Sequence, residues 1–247
     1  MREPPIPDGR ECCLFLDIDG TLLDIAPTPD SVQVDEALRS LLRRLGYACN
    51  GALALISGRT ISNIDDLFAP LLLPAAGVHG NERRDARGYW HHEAVRGPAF
   101  EEFRERMSAA LAPLAGILVE DKGCGVALHY RLVPNMHAPL RKAIERLTPW
   151  LPETHAILEG DEVIEIKPVA HDKGTAIDAF MREAPFARRY PIFIGDDLTD
   201  RDGFEAVRKW GGLAIAVGSN VHADEHLDNP RAVRRWLSTF LEARVAA

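Results

Sequence analysis

The chain has 247 residues, of which 46% are hydrophobic and 27% charged, with 19 glycines and 17 prolines; this is ordinary globular usage and excludes a disordered or collagen-like polymer. The length allows one or two domains, with a core large enough to fold without disulfide or metal staples. Acidic residues outnumber basic ones 37 to 29, for a formal charge of −8, and no block of Lys and Arg is present to track a phosphate backbone, which argues against a nucleic-acid partner.

The first eleven residues are polar and Pro-rich, without the charged start and apolar stretch of a secretory signal. No apolar run approaches the roughly 20 residues that span a bilayer, so no membrane partner is expected and the expected location is the cytoplasm. Cys12–Leu16 is a short apolar run that ends in Asp17-Ile18-Asp19-Gly20-Thr21. Val34, Leu38, Leu41, Leu42 and Leu45 then recur at helical spacing, with Gly46 as the expected stop. A second apolar run, 52–56, ends in Ser57-Gly58-Arg59, and the adjacent His91 and His92 suit an exposed turn. From 97 to 168 the texture changes. Phe100, Phe103, Met107, Leu111 and Leu114 mark one amphipathic helix, and Leu140, Ile144, Leu147 and Leu151 another. Each precedes a strand-like segment, 117–131 with its turn at 123–125, and 156–167. Asp172-Lys173-Gly174-Thr175 then opens a helical pattern of Ala176, Ile177, Phe180 and Met181 before Pro185. The run 192–194 leads into Gly195-Asp196-Asp197-Leu198-Thr199-Asp200, and Leu213–Val217 is the last apolar run.

Two further sets of residues read as structural. Cys12, Cys13, Cys49 and Cys124 show no CxxC pairing and are expected as reduced, buried thiols, with Cys12 and Cys13 on opposite faces of a strand. His222 and His226 could share a helix face but lack the Glu of a zinc-protease helix, so they are expected as surface residues. No Walker lysine motif or dinucleotide fingerprint is present, which leaves ATP and NAD sites unsupported.

Continuous apolar runs too short for helices suit strands buried on both faces of a parallel sheet, and their alternation with helices predicts a doubly wound α/β fold. The expected domains are a discontinuous core, 1–96 and 169–247, and a smaller α/β insert, 97–168. Ligands of open parallel sheets bind beyond the carboxyl ends of the strands, where the strand order reverses. The polar ends of the runs are therefore expected to meet, gathering Asp17, Asp19, Asp196, Asp197 and Asp200 in one crevice. Like charges so placed need a cation, and hard oxygen donors favour Mg²⁺ over Zn²⁺. Mg²⁺ commonly shares its shell with a substrate phosphate, which points to phosphoryl chemistry. Asp17 is the candidate nucleophile, forming an aspartyl-phosphate. Asp19 is placed to protonate the leaving oxygen and then to deprotonate water. Ser57, backbone N–H groups and Lys173 would neutralise the phosphate. In the insert, Glu120 and Lys122 fall on one side of an extended segment, where carboxylate and ammonium together can bind adjacent sugar hydroxyls.

Asp17-Ile18-Asp19-Gly20-Thr21-Leu22, Ser57, Lys173 and the run Gly195 to Asp200 occur in the order and spacing of the four motifs of the haloacid dehalogenase-like phosphatases, which the chain resembles. Within them it is similar to the trehalose-6-phosphate phosphatase family. Ile25 and Pro29 continue the first motif, Gly77-Val78-His79-Gly80-Asn81-Glu82 matches G-x-H-G-x-E, and Glu120 to Lys122, His129 to Arg131 and Val163 to Glu165 resemble the cap signature. The resemblance spans nearly the whole chain. It implies a haloacid dehalogenase-like core with a mobile cap, Mg²⁺ dependence and release of phosphate from the 6-position of trehalose. It implies Asp17 as nucleophile, Asp19 as acid/base, and Ser57 and Lys173 as phosphate ligands. The metal would be held by Asp196 with Asp17 and the Asp19 carbonyl, and Asp200 or Asp197 would hold a water on it. Gly58 and Arg59 fall with the substrate-binding set, and Glu120, Lys122 and Glu165 would face the sugar, with His79 and Arg131 as further candidates. One departure is visible: Arg201 stands where the family usually has Glu. Two alternatives remain open here: another sugar phosphatase of the superfamily, acting on sucrose-phosphate or a mannosyl ester, and a phospho-accepting receiver-like module. Receivers need only about half this length and have no sugar-facing insert.

Overall fold

The structure, a computed structural model, describes residues 3–7, 9, 11–26, 28, 31–92, 97–160 and 162–245. Pro29 and the boundary residue Arg96 lie outside these. The chain divides into two compact units, Met1–Ala26, Ser31–His92 and His171–Ala247 in the first, and Pro27–Asp30 with Glu93–Ala170 in the second.

Strands β1 (Cys12–Leu16), β2 (Leu53–Ile56), β3 (Ala75–Gly77), β4 (Glu82–Arg84) and β5 (Trp90–His92) belong to the first unit. Strands β6 (Leu118–Asp121), β7 (Val126–His129), β8 (His155–Gly160) and β9 (Val163–Pro168) belong to the second, and β10 (Tyr190–Gly195), β11 (Leu213–Val217) and β12 (Glu225–Leu227) return to the first. The helices are α1 (Glu36–Ala48), α2 (Ile61–Phe68), α3 (Pro98–Leu111), α4 (His137–Leu147), α5 (Lys173–Met181), α6 (Arg201–Lys209) and α7 (Pro230–Val245).

The first unit is built on an 8-stranded sheet in the order β12-β11-β10-β1-β2-β3-β4-β5. The strands from β12 to β3 pair in parallel, and β4 and β5 extend the edge antiparallel. The chain moves outward from β1 to β2 and β3 on one side, and later through β10, β11 and β12 on the other. The strand order therefore reverses between β1 and β10, where a ligand crevice belongs. Every residue of β1 is buried, as a strand covered on both faces requires. Its side chains alternate: Phe15 packs at a tilt against Phe180 of α5 and stacks with Phe186, and Cys13 contacts Met181, while Cys12 is met by Arg244 of α7. Helices thus cover both faces, the doubly wound arrangement expected. All four cysteines are free and buried.

Helix α1 is capped by Asp35, whose carboxylate accepts from the Leu38 amide at 2.7 Å. It runs through Gly46 instead of stopping there, because the buried stripe of Leu38, Leu42 and Leu45 continues to Cys49. That burial outweighs the cost of about 1 kcal/mol for a helical glycine. His91 lies on β5, exposed and paired with Asp85, so the expected turn is an edge strand. His222 is in a loop and His226 in β12, so the two share no helix face.

The second unit has a 4-stranded antiparallel sheet in the order β6-β7-β9-β8. Its core joins Phe100, Phe103 and Met107 of α3 and Leu140 and Ile144 of α4 to Leu128 and Ile164 of the sheet. The segment 156–167 is two strands, with Glu162 in the left-handed region at their turn (φ 58°). Among the described residues no helix is long and apolar enough to cross a membrane.

Candidate active site

The register of the two central strands builds the site. Leu16 of β1 pairs with Ile194 of β10, so Asp17 and the Gly195-Asp196 pair leave the sheet side by side. The Asp17 amide donates to the Ile194 carbonyl at 3.0 Å. Gly20 turns the chain with a φ of +83°, and a Cβ there would lie 2.0 Å from an Asp196 carboxylate oxygen, so only glycine lets the two segments approach. Thr21, fully buried, donates its hydroxyl to Asp196 Oδ1 at 3.0 Å. The sequence reading gave Thr21 no role, although it lies within the first motif.

Asp200, on a short 3-10 turn, is fully buried and held on both oxygens. Its Oδ2 accepts the amides of Asp196 and Asp197 at 2.9 Å each, and its Oδ1 accepts Lys173 Nζ at 2.6 Å. Lys173 also donates to Asp17 Oδ1 at 2.7 Å. It is placed by a capping box, in which Asp172 Oδ1 accepts the Thr175 amide at 2.7 Å and Thr175 Oγ1 accepts the Asp172 amide at 3.0 Å. Lys173 therefore starts α5 with its side chain buried between two carboxylates.

One oxygen each of Asp17, Asp196 and Asp200 lies within 4.8 Å of the others. Burial, with Asp200 and Asp196 adding to it, pushes the Asp17 carboxyl well above the usual carboxylate range against the pull of Lys173. Burial and then Asp200 push Asp196 up to about 7. Burial opposes the charge of Lys173, but Asp17 and Asp200 outweigh it and raise its ammonium above the ordinary lysine value. Three carboxylates face one ammonium, an excess of negative charge that a divalent cation would balance. With oxygen donors alone, the set suits Mg²⁺.

The structure does not gather all five carboxylates. Asp19 turns to Arg59, whose Nε and Nη2 donate to its Oδ2 and Oδ1 at 2.7 Å each. Asp197 is half-buried and outside the close trio. The Asp19 carboxylate is thus held in an ion pair outside the close trio, which leaves its backbone carbonyl as the metal ligand that the sequence suggests. Arg201 is exposed at the start of α6, and the charge of Asp200 is met by Lys173 and two amides instead.

Ser57 follows β2 and is buried, with its Oγ accepting the Arg59 amide at 3.1 Å. Gly58 lies against the ring of His79, which is buried there. Glu82, for which the sequence suggested no role, accepts the Ile61 amide at 2.9 Å. No spacing rule would have found that contact.

The second unit carries its own polar cluster. Buried Lys122 and Glu165 form an ion pair, and Glu120 Oε2 lies 2.9 Å from His129 Nε2. Burial works against the Glu120 charge, but the His129 bond and nearby Lys122 outweigh it and hold its carboxyl below the usual range. Arg131 pairs with Glu162 at 3.2 Å.

The family model described as trehalose-phosphatase matches residues 15–235. The chain belongs to that family. A relative from Sinorhizobium fredii named "Probable trehalose-phosphate phosphatase" is 46% identical over 214 residues, 87% of this chain and 80% of the relative. The trehalose-6-phosphate phosphatase of Escherichia coli is 40% identical over 230 residues, 93% of this chain and 86% of the relative. A crystallised trehalose-6-phosphate phosphatase related protein superposes with a TM-score of 0.77 at 26% identity, covering 95% of this chain and 99% of that one. The fold is the haloacid dehalogenase-like core with an inserted α/β cap domain.

Proposed function

We propose that this chain is a cytoplasmic, Mg²⁺-dependent phosphatase that hydrolyses trehalose 6-phosphate to trehalose and phosphate through an aspartyl-phosphate on Asp17. The observation that carries the reading is the buried centre in which Asp17, the first residue beyond β1, shares Lys173 with Asp200 beside Asp196. Family membership supplies the substrate class.

Asp17 and Asp196, with the Asp19 carbonyl, would hold the metal, and Asp200, in the same close trio, would complete the set. Bound Mg²⁺ supplies positive charge that admits a phosphate dianion to an acidic crevice. The Asp17 carboxylate attacks phosphorus, and the bond to the sugar oxygen breaks. Asp19 gives a proton to that oxygen, then takes one from the water that releases phosphate from Asp17. Lys173 and Ser57 hold the phosphoryl oxygens, with Lys173 kept in place by Asp200. Glu120, Lys122 and Glu165 of the insert recognise sugar hydroxyls, a role suited to paired acceptors and donors held in fixed geometry.

The test is a phosphate-release panel of trehalose 6-phosphate, glucose 6-phosphate, sucrose 6-phosphate and mannosyl phosphates. Trehalose 6-phosphate should rank first in kcat/KM. Preference for another sugar ester would overturn the substrate, and inactivity toward all of them would overturn the reaction.

A further inference from the structure

The contact between Asp19 and Arg59 joins residues 40 positions apart and uses both carboxylate oxygens. The Asp19 side chain is 35% exposed, whereas that of Arg59 is only 12% exposed. An Asp at the rim of a crevice, left to itself, turns freely about two side-chain torsions. A guanidinium fork fixes both oxygens at once, which a point charge cannot do.

Arg59 is itself braced. Its amide donates to Ser57 Oγ at 3.1 Å, and its carbonyl accepts the Val78 amide at 2.8 Å. The Ser57 carbonyl accepts the His79 amide at 3.0 Å. Those two donors come from consecutive non-glycine residues in the left-handed region, Val78 at φ 47° and His79 at φ 54°. For a β-branched residue this conformation is a steric outlier, costing about 1–3 kcal/mol. Here it aims two successive N–H groups at one turn. The His79 ring closes over Gly58, where a Cβ would come within 2.8 Å of Cε1 and Nε2. Glu82, at the end of the same segment, takes the Ile61 amide at 2.9 Å. The left-handed pair has a clear beneficiary: the turn that carries Arg59.

We propose that Arg59 is a positioning residue that orients the Asp19 carboxyl for proton transfer, with the segment from Gly77 to Glu82 built to hold it there. The proposal rests on the reading of Asp19 as acid and base given above. A carboxylate offers about four lone-pair sites, of which the fork takes two, so either oxygen can carry the proton while the other contact persists. His79 is thereby a brace for the turn, acting through its backbone amide and its ring.

The test uses a series of aryl phosphates, from p-nitrophenyl to phenyl, whose leaving groups need progressively more help from an acid and contain no sugar. Their kcat/KM values report the step in which the leaving group departs. The wild type should decline little along the series. Arg59→Gln should decline by about ten- to a hundred-fold more, a part of the roughly 10²–10⁴ that a placed acid contributes. Arg59→Lys, which keeps the charge and loses the fork, should follow the same trend. In an Asp19→Asn background, Arg59→Gln should change nothing further along the series, as residues acting through one group are not additive. Because each trend is a ratio within one preparation, partial loss of folded protein cancels. Uniform losses on every aryl phosphate, or a full additional loss in the Asp19→Asn background, would overturn the proposal. A wild type active on aryl phosphates and inert toward trehalose 6-phosphate would instead sink the sugar assignment and leave the Arg59 result standing.

Discussion

Lys173 answers two carboxylates at once, Asp17 at 2.7 Å and Asp200 at 2.6 Å, with only 4% of its side chain exposed. Removing one partner from such a set leaves the others buried and uncompensated. Replacing Asp17 with Asn keeps the shape and removes the attacking charge. Phosphate release should fall to below about 1% of wild type, since a nucleophile is not replaced by binding alone. Circular dichroism should show the fold intact, and activity above a few per cent would remove Asp17 from that role. At this scale Asp17 and Asp196 are legible because acidic residues closing fully apolar runs have few structural uses, whereas Lys173 and Asp200 stand out only as members of the four-motif set. The pairing of Asp19 with Arg59 was not legible, since a gap of 40 residues carries no periodicity. The fixing of Asp200 by two backbone amides was equally hidden, as it depends on how the chain turns after β10.

Two elements decide whether those side chains meet. Gly20 lets the turn after β1 pass within contact of Asp196. Gly20→Ala should push that carboxylate aside and lower kcat/KM by about 100-fold, the effect of roughly 1 Å of misplacement; full activity would show that the close approach is dispensable. The capping box of α5 fixes Lys173 at the first helical position. Asp172→Ala should cost about 1 kcal/mol of stability in denaturant melts and reduce activity along with it, whereas an unchanged melt would deny the cap its part. Strands β1, β2, β10 and β11 were readable as apolar runs because they are buried on both faces. Strands β3, β4, β5 and β12, at three residues each, are too short to show a pattern, and β5 is exposed throughout. Helix α7 is absent from the sequence-based expectations although Val233, Trp236, Leu237, Phe240 and Leu241 form a helical stripe behind Pro230.

Across the molecule, charge couples the site to pH. Asp196 is raised to about 7 in the folded protein from an ordinary 3.8. Between those values the folded state holds more proton than the unfolded chain, so this group makes stability fall as pH rises through the window. A cation that needs the ionised form reverses the trend, and its binding should release a proton. The gain in Tm from Mg²⁺ over EDTA should therefore be larger at pH 8 than at pH 6, and an equal gain at both would contradict the coupling. In the second unit, Glu120→Ala and Lys122→Ala should reduce turnover of trehalose 6-phosphate far more than of p-nitrophenyl phosphate. Equal losses would remove both residues from sugar recognition. The measurement that bears most directly on the account is chemical trapping of the acyl phosphate: borohydride added during turnover with Mg²⁺, followed by peptide mass spectrometry. Asp17 alone should be reduced to the corresponding alcohol, in a substrate-dependent manner; reduction at a different carboxylate under the same turnover would contradict the central claim.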